Sequence, residues 1–409
     1  MITEIKGGLT AVPGFRAAGV SSGIKESDRD LLLLASDRGP VPAAGVFTSN
    51  NVKAAPVQIS KKHLKDKELG GIVANSGCAN AFTGREGIRN AREMAEHTAE
   101  ILDMNPEDIG VASTGLIGSQ LPIENVKEGI EKAAENLSNS WEAGTEAAKA
   151  IMTTDTRVKE LAIKVETENG LNATIGGAAK GAGMIHPDLH ATMLCFLVTD
   201  VNITPAGLRY ALQNAADQSF NMLTIDGDKS TNDTVMTLAN GISENERITK
   251  SSPNEDFQEA LNYITRELAK MIAKDGEGAS HLIEVKVDGA ETKEDARKAA
   301  KAVAGSDLVK SAVHGEDPNF GRIVAALGYS GANFSPSRIS ISILSEEGEA
   351  PLVLKGEPLP EDTINEAEKV MAEEEIQIYV ELSEGDESAD AWGCDLSEEY
   401  VRINSQYRI

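Results

Sequence analysis

The chain has 409 residues, with 65 acidic against 39 basic side chains and a formal net charge of -26, which argues against nucleic acid or an anionic membrane surface as a partner. Apolar residues make up 41% and aromatics only 4%, so a core large enough for two or three domains, or one large α/β unit, must rest on Val, Ile, Leu and Ala. No apolar run approaches the ~20 residues of a membrane span, Met1-Ile2-Thr3-Glu4 opens no secretory signal, and the widely spaced Cys78, Cys195 and Cys394 suit a reduced cytoplasm.

From Gly7 to Val57 the sequence reads as strand and turn, with Leu31 to Ala35 and Gly45 to Thr48 as buried strands. Gly71 to Asn75 is another short strand. It runs into the small-residue loop Ser76 to Gly84, a common setting for a site. Ile88, Ala91, Ala95 and Ala99 share one face of a helix expected over about 87–102. Ile109 to Gly118 repeats the strand-to-loop pattern. Taken alone it is a plain turn, although the Thr114 hydroxyl and the Gly115 N–H could together cup a developing oxyanion. Pro122 and Glu124 open a helix to about Leu137. Trp141 to Met152 is Ala-rich helix, followed by the hydroxyl cluster Thr153-Thr154-Asp155-Thr156.

Strands near Leu161 to Val165 and Ala173 to Ile175 lead into GGAAKGAGMIHPDLHATMLCFLVTD, Gly176 to Asp200. Its first half is glycine-rich around one cation, Lys180. Its second half, Met193 to Val198, is a buried strand, within which Cys195 reads as a small core residue. The glycines match neither a dinucleotide fingerprint nor a P-loop. Between the halves lies Ala191-Thr192. A Thr hydroxyl is one five-membered ring from its preceding carbonyl, so a strained peptide there could be attacked by its own side chain. By itself, an Ala-Thr pair before a strand is ordinary loop chemistry.

Thr204-Pro205 starts a helix to about Phe220, and NMLTIDGDKSTND, Asn221 to Asp233, brings Asp226, Asp228 and Asp233 close in sequence. The run does not supply the Gly at the sixth position and the Glu at the twelfth of a calcium loop, so no metal is expected. An amphipathic helix over about 253–274 precedes Asp275-Gly276-Glu277-Gly278, where Glu277 could reach a ligand amine or sit on a surface turn. A strand over 282–287 and a helix over 292–304 follow. VHGEDPNFGRI, Val313 to Ile323, reads as a turn in which His314 has no assigned role. Ile376 to Leu382 is a strand, and Tyr400 to Asn404 is expected to be a last short strand.

The ordered set STG (113–115), MTTDT (152–156), KGAGMIHPDLHATML (180–194), DGDKSTNDT (226–234), DGEGA (275–279) and DPNFGR (317–322) resembles the ArgJ-type ornithine acetyltransferases, also called glutamate N-acetyltransferases, over nearly the whole chain. The resemblance implies an α/β fold of layered sheets sandwiched by helices, of the self-cleaving N-terminal-nucleophile type related to aminopeptidases. It implies an α chain, Met1–Ala191, carrying the oxyanion hole with the substrate Thr and Lys, and a β chain, Thr192–Ile409, beginning at the nucleophile Thr192. Thr114 and Gly115 are matched to the oxyanion hole. Thr154, Lys180, Thr192, Glu277 and Asn404 are matched to substrate contacts, with Ile409 standing where the family usually ends in a substrate-binding Thr or Ser. Cys78 stands where the family pattern would have Asn.

The implied reaction is acetyl transfer from N2-acetylornithine to glutamate through an acetyl-Thr192 enzyme, in the cyclic route of arginine biosynthesis. It requires no metal or organic cofactor. Some members also accept acetyl-CoA as donor, and the sequence leaves that open. The two chains are expected to stay together, as a heterotetramer or larger, in the cytoplasm. Two alternatives remain: an N-terminal-nucleophile amidohydrolase or aminopeptidase that uses water as acceptor, and a non-enzymatic binding protein with an intact Ala191-Thr192 bond.

Overall fold

The computed structural model describes residues 1–26, 28–65, 68–168, 170–186, 193–360 and 364–406. Four layers form the body around the site. The central layer is a seven-stranded sheet in the order Ile2–Ile5, Lys159–Glu166, Asn172–Lys180, Leu194–Thr199, Thr234–Ala239, Val41–Phe47 and Glu68–Leu69. Every residue of Leu194–Thr199 and of Thr234–Ala239 is buried, as continuous apolar strands covered on both faces require. These two strands pair in parallel, with Leu194 opposite Thr234. The pairing with Asn172–Lys180 is antiparallel, with Leu194 opposite Lys180.

Strand alternation divides the core between layers. Leu197 packs with Leu208 and Leu268 under the helices Pro205–Gln218 and Glu255–Lys274. Phe196 and Val198 face the other way, onto Leu32, Leu34, Ile72 and Ala74. The last four belong to a four-stranded sheet ordered Phe15–Val20, Leu31–Ser36, Gly71–Cys78 and Ile109–Leu116. Leu31 and Leu33, on its far face, pack with Met94, Val126 and Ile130 of the helices Gly84–Leu102 and Ile123–Glu135. The period-2 side-chain geometry of a strand thus lets one Leu run serve two cores. The layers read helix, sheet, sheet, helix, so the expected layered sheets sandwiched by helices are present.

A third sheet of six strands is built entirely from residues 282 onward, in the order Glu357–Pro358, Gly348–Leu354, Ser340–Ser345, Glu375–Glu381, Leu282–Ala290 and Glu387–Cys394. Helix Glu255–Lys274 joins it to the body. Its start is capped by the Asn254 side chain, which accepts from the Phe257 N–H at 2.8 Å. Its buried residues recur at helical spacing, from Phe257 through Leu261, Ile264 and Leu268 to Ile272.

Several sequence expectations are corrected. The strand expected over Ala173 to Ile175 continues through the glycine-rich run and ends at Lys180. The glycines before it serve close packing: a Cβ at Gly176 would stand 2.2 Å from the Gly8 carbonyl oxygen. Tyr400 to Asn404 is helical, within Glu398–Gln406. Glu398 and Glu399 favour a helix start there, and Arg402 pairs with Glu399 one turn earlier. The segment Val313 to Ile323 spans the end of helix Asp307–His314 and the start of helix Phe320–Tyr329. Its Asn319 caps the second helix by accepting from the Arg322 N–H. Strand Thr234–Ala239 and helix Ala55–His63 had no separate signal in the pattern.

Candidate active site

One cleft of about 160 Å³ is lined by Thr114, Gly115, Thr154, Lys180, Glu277 and Asn404, brought together from distant parts of the chain. Ala191, Thr192 and Ile409 lie outside the described residues. Ile185, Met193 and Leu194, which flank the Ala191-Thr192 segment in sequence, line the same cleft.

Thr114 and Gly115 occupy the end of strand Ile109–Leu116, not a loop beyond it. The parallel pairing with Gly71–Cys78 slips register at Gly77 and Cys78, which re-aims the backbone at the cleft. Gly115 has φ of +129°, and a Cβ on it would sit 2.3 Å from the backbone of Gly77. No other residue fits that position, so the N–H of Gly115 is held where a side chain cannot cover it.

Lys180 is buried, at 7% exposure. Its Nζ donates to Thr153 Oγ1 at 2.6 Å and to Thr114 Oγ1 at 3.4 Å, and stands 3.8 Å from Asp155. Because Thr114 Oγ1 accepts from an ammonium, its own O–H can point elsewhere in the cleft. Burial lowers the Lys180 pKa, and Asp155 acts against that shift. Burial would likewise raise the Asp155 pKa. Lys180 and Lys159, with the Thr153 N–H, outweigh it and hold the carboxyl well below the usual range.

Behind this pair lies a buried ionic cluster. Lys159 Nζ donates to Asp155 at 2.6 Å and to Asp275 at 2.5 Å. Asp275 also accepts from the backbone N–H groups of Thr156 and Arg157 and from the Thr156 hydroxyl. The cluster ties the Thr153–Thr156 segment to the segment that carries Glu277. On the opposite wall Asn404 Nδ2 donates to Glu277 Oε2 at 2.7 Å. The Glu277 N–H donates to the Ala182 carbonyl. A cation and a carboxylate thus face one cavity from two walls, which suits a ligand bearing both charges.

The profile of the ArgJ family matches residues 16–409. The chain belongs to the ArgJ family. It is similar to the arginine biosynthesis bifunctional protein ArgJ of Symbiobacterium thermophilum, at 51% identity over 408 residues covering 99% of each chain. It is also similar to the glutamate N-acetyltransferase of Methanothermobacter thermautotrophicus, at 48% identity over 98% of each. Among solved structures, ornithine acetyltransferase of Mycobacterium tuberculosis complexed with ornithine matches at 40% identity. That match covers 46% of this chain and 99% of that one, with a TM-score of 0.44.

In this ArgJ-family chain Asp226, the first aspartate of the 226–233 run, serves the backbone. Asp226 accepts from the N–H groups of Met184 and Ile185 at 2.5 and 2.9 Å, and from Tyr400 at 3.3 Å. It clamps the chain approaching residue 187 to the C-terminal helix. Among the described residues no group of three or more His, Cys, Asp or Glu could hold a metal ion. Cys78 is buried, with Sγ donating to the Ser119 carbonyl, and burial pushes its thiol pKa up. That leaves it a poor nucleophile. Burial also raises the Cys195 pKa. No helix among the described residues is long and apolar enough to cross a membrane.

The pattern gave no separate role to Thr153, Asp155, Lys159, Asp275 or Lys25. Asp155 and Lys159 stand four apart, a legible pairing only if the segment is known to curl. Lys25 had no signal at all. Its Nζ donates to the Met152 carbonyl at 3.0 Å. Burial lowers its pKa, against the pull of Asp28, Asp30 and Asp155.

Proposed function

We propose that this chain transfers the acetyl group of N2-acetylornithine to glutamate through an acetyl ester on Thr192, after cutting its own Ala191-Thr192 bond. The observation that carries this reading is the cleft that gathers Thr114, Gly115, Thr154, Lys180, Glu277 and Asn404 beside Met193. Its family membership and the names of its relatives support the same chemistry.

In this reading the Thr192 hydroxyl attacks the acetyl carbonyl. The α-amine freed by cleavage, with an ordinary pKa of about 7.7–8.0, takes the hydroxyl proton. The Thr114 O–H and the Gly115 N–H receive the negative charge that develops on the carbonyl oxygen. Each such donor is worth about 10²–10³ in rate. Lys180 receives the substrate α-carboxylate, and Glu277, steadied by Asn404, receives the terminal ammonium of ornithine. Thr154 completes the wall beside Lys180. Ornithine leaves with a proton from the α-ammonium, and glutamate attacks the ester in the reverse sense.

The chains Met1–Ala191 and Thr192–Ile409 remain together because the central sheet pairs Asn172–Lys180 with Leu194–Thr199 across the cut. Assembly of the two chains into a heterotetramer or larger belongs to the same proposal.

The test begins with the denatured mass of the purified protein. The expected result is two species meeting at Ala191/Thr192 in the wild type and one chain of 43.3 kDa in Thr192→Ala. Radiolabelled acetylornithine then gives acetylglutamate only when glutamate is present. Steady acetate release without glutamate would make the chain a hydrolase. Glutamate acetylation from acetyl-CoA, run alongside, decides the second donor. A wild-type chain that stays whole overturns the self-processing mechanism.

A further inference from the structure

Asp233 is a buried carboxyl on the cleft wall with no assigned task. It is 3% exposed and lines the cavity beside Lys180 and Glu277. The Thr48 and Ser230 hydroxyls lie beside it, yet among the described residues its Oδ2 has no hydrogen-bond partner. A buried, half-satisfied carboxylate is expensive, so such a group either takes up a proton or waits for a partner. Burial accordingly raises its pKa well above the usual carboxylate range, with the two hydroxyls and the more distant Lys180 pulling the other way. Asp155, behind Lys180, and Glu277, on the cleft wall, are the neighbouring acids. The first is already matched by two lysines and the second by Asn404.

The backbone fixes where this carboxyl stands. The Asp233 carbonyl accepts from the Thr48 N–H at 3.0 Å, and the next residue, Thr234, donates its N–H to the Met193 carbonyl at 2.7 Å. Met193 is bonded directly to Thr192. The acid is therefore seated one residue from the strand position to which the nucleophile is attached.

We propose that Asp233 is the acid of the self-cleavage, giving its proton to the nitrogen of the Ala191-Thr192 peptide as that bond breaks, and that its carboxylate then pairs with the Thr192 α-ammonium. This rests on the self-cleavage reading above. The Thr192 Oγ bonds to the Ala191 carbonyl carbon and its proton is released. The C–N bond breaks, and the nitrogen keeps its own hydrogen while gaining the Asp233 proton and the former hydroxyl proton. The products are an Ala191 ester on Thr192 Oγ, an α-ammonium and the Asp233 carboxylate. Water then hydrolyses the ester, leaving the Ala191 carboxylic acid and the Thr192 hydroxyl. In acetyl transfer the same pair can pass its proton back to Asp233, which leaves the amine neutral to act as base.

The test follows cleavage of full-length chain made by cell-free synthesis and shifted into buffers between about pH 5.5 and 9, read by denatured mass. General acid catalysis of this kind is worth about 10²–10⁴. Asp233→Asn should therefore remain soluble with a normal unfolding transition, cut at least ~100-fold more slowly, and show no pH dependence. Wild-type cleavage should slow as pH rises through the Asp233 titration, because only the protonated acid can donate. Asp233→Glu should recover part of the rate together with the pH dependence. Cleavage of Asp233→Asn at the wild-type rate overturns the proposal, as does slow cleavage that keeps the wild-type pH profile, which would mark a merely structural role. If Asp233→Asn fails to fold, flat profiles in both wild type and Asp233→Glu overturn it. Failure of the underlying reading looks different: there the wild type itself stays whole.

Discussion

Two buried ionic groups flank the cleft, and they are built in opposite ways. Lys159, at 1% exposure, meets carboxylates on both sides, Asp155 and Asp275, and those carboxylates are capped in turn by backbone N–H groups. Asp233 is equally buried but, among the described residues, keeps one oxygen without a partner. A charge satisfied in every direction has little reason to titrate or react, and it holds the walls in place. A charge satisfied in only some directions is the one whose protonation the cleft can use. Burial does not separate the two; the count of hydrogen bonds does.

The sharpest way to break that contrast is to unbalance the paired side. Lys159→Met leaves Asp155 and Asp275 facing each other without their shared cation, and breaking a buried pair this way costs about 3–5 kcal/mol. Chemical denaturation should show that loss as a lower midpoint at unchanged slope. A loss below ~1 kcal/mol would mean that the cluster does not fasten the cleft walls.

Lys180→Met touches the same cluster at its edge, where Lys159 still neutralises Asp155. The expected effect falls on substrate binding: loss of a charged hydrogen bond to substrate is worth about 1.5–3 kcal/mol. That appears as a KM for acetylornithine raised roughly ten- to a hundredfold, with the unfolding midpoint nearly unmoved. An unchanged KM would remove Lys180 from the binding site.

The two kinds of group also predict opposite pH dependences. Asp155 and Asp395 have folded pKa values held below the unfolded one. For Asp155, burial is outweighed by Lys180 and Lys159. For Asp395, burial is outweighed by hydrogen bonds from His281, Ser280 and His314. Their stabilisation is complete above the unfolded pKa of about 3.9 and is lost as pH falls below it. Asp233 has its pKa raised, so its folded state binds the extra proton, and its contribution declines as pH rises from about 3.9 through its folded pKa. Unfolding curves of uncut Thr192→Ala across that range should therefore flatten when Asp233→Asn is added, with the midpoint gained at the alkaline end. A flattening at the acid end instead would reverse the assignment.

The smallest effect is expected at the opposite wall. Asn404→Ala removes one hydrogen bond to Glu277, worth about 0.5–1.5 kcal/mol, and should raise KM a few-fold while leaving kcat within about twofold.

The amino-acid sequence by itself determined most strands and helices, because apolar runs of strand length and the 3.6-residue spacing in helices such as 255–274 are local signals, whereas the layered α/β class followed from the family resemblance. The same resemblance, carried by the ordered series from Ser113-Thr114-Gly115 to Asp275-Gly276-Glu277, indicated which motifs meet, and residues of these motifs line one cleft. Elements whose signal is ambiguous were lost: strand Thr234–Ala239 merged with the polar run before it, and a short amphipathic stretch at Tyr400 to Asn404 fits either period until its neighbours are known. Only the tertiary structure decided that Lys180 ends a strand, that Lys159 joins Asp155 to an aspartate 116 residues away, and that Asp233 is buried with one oxygen unpaired among the described residues. The reason is physical. Periodicity reports which side of an element meets the core, but the state of a charge depends on every donor and acceptor around it, and those arrive from segments that only folding brings together.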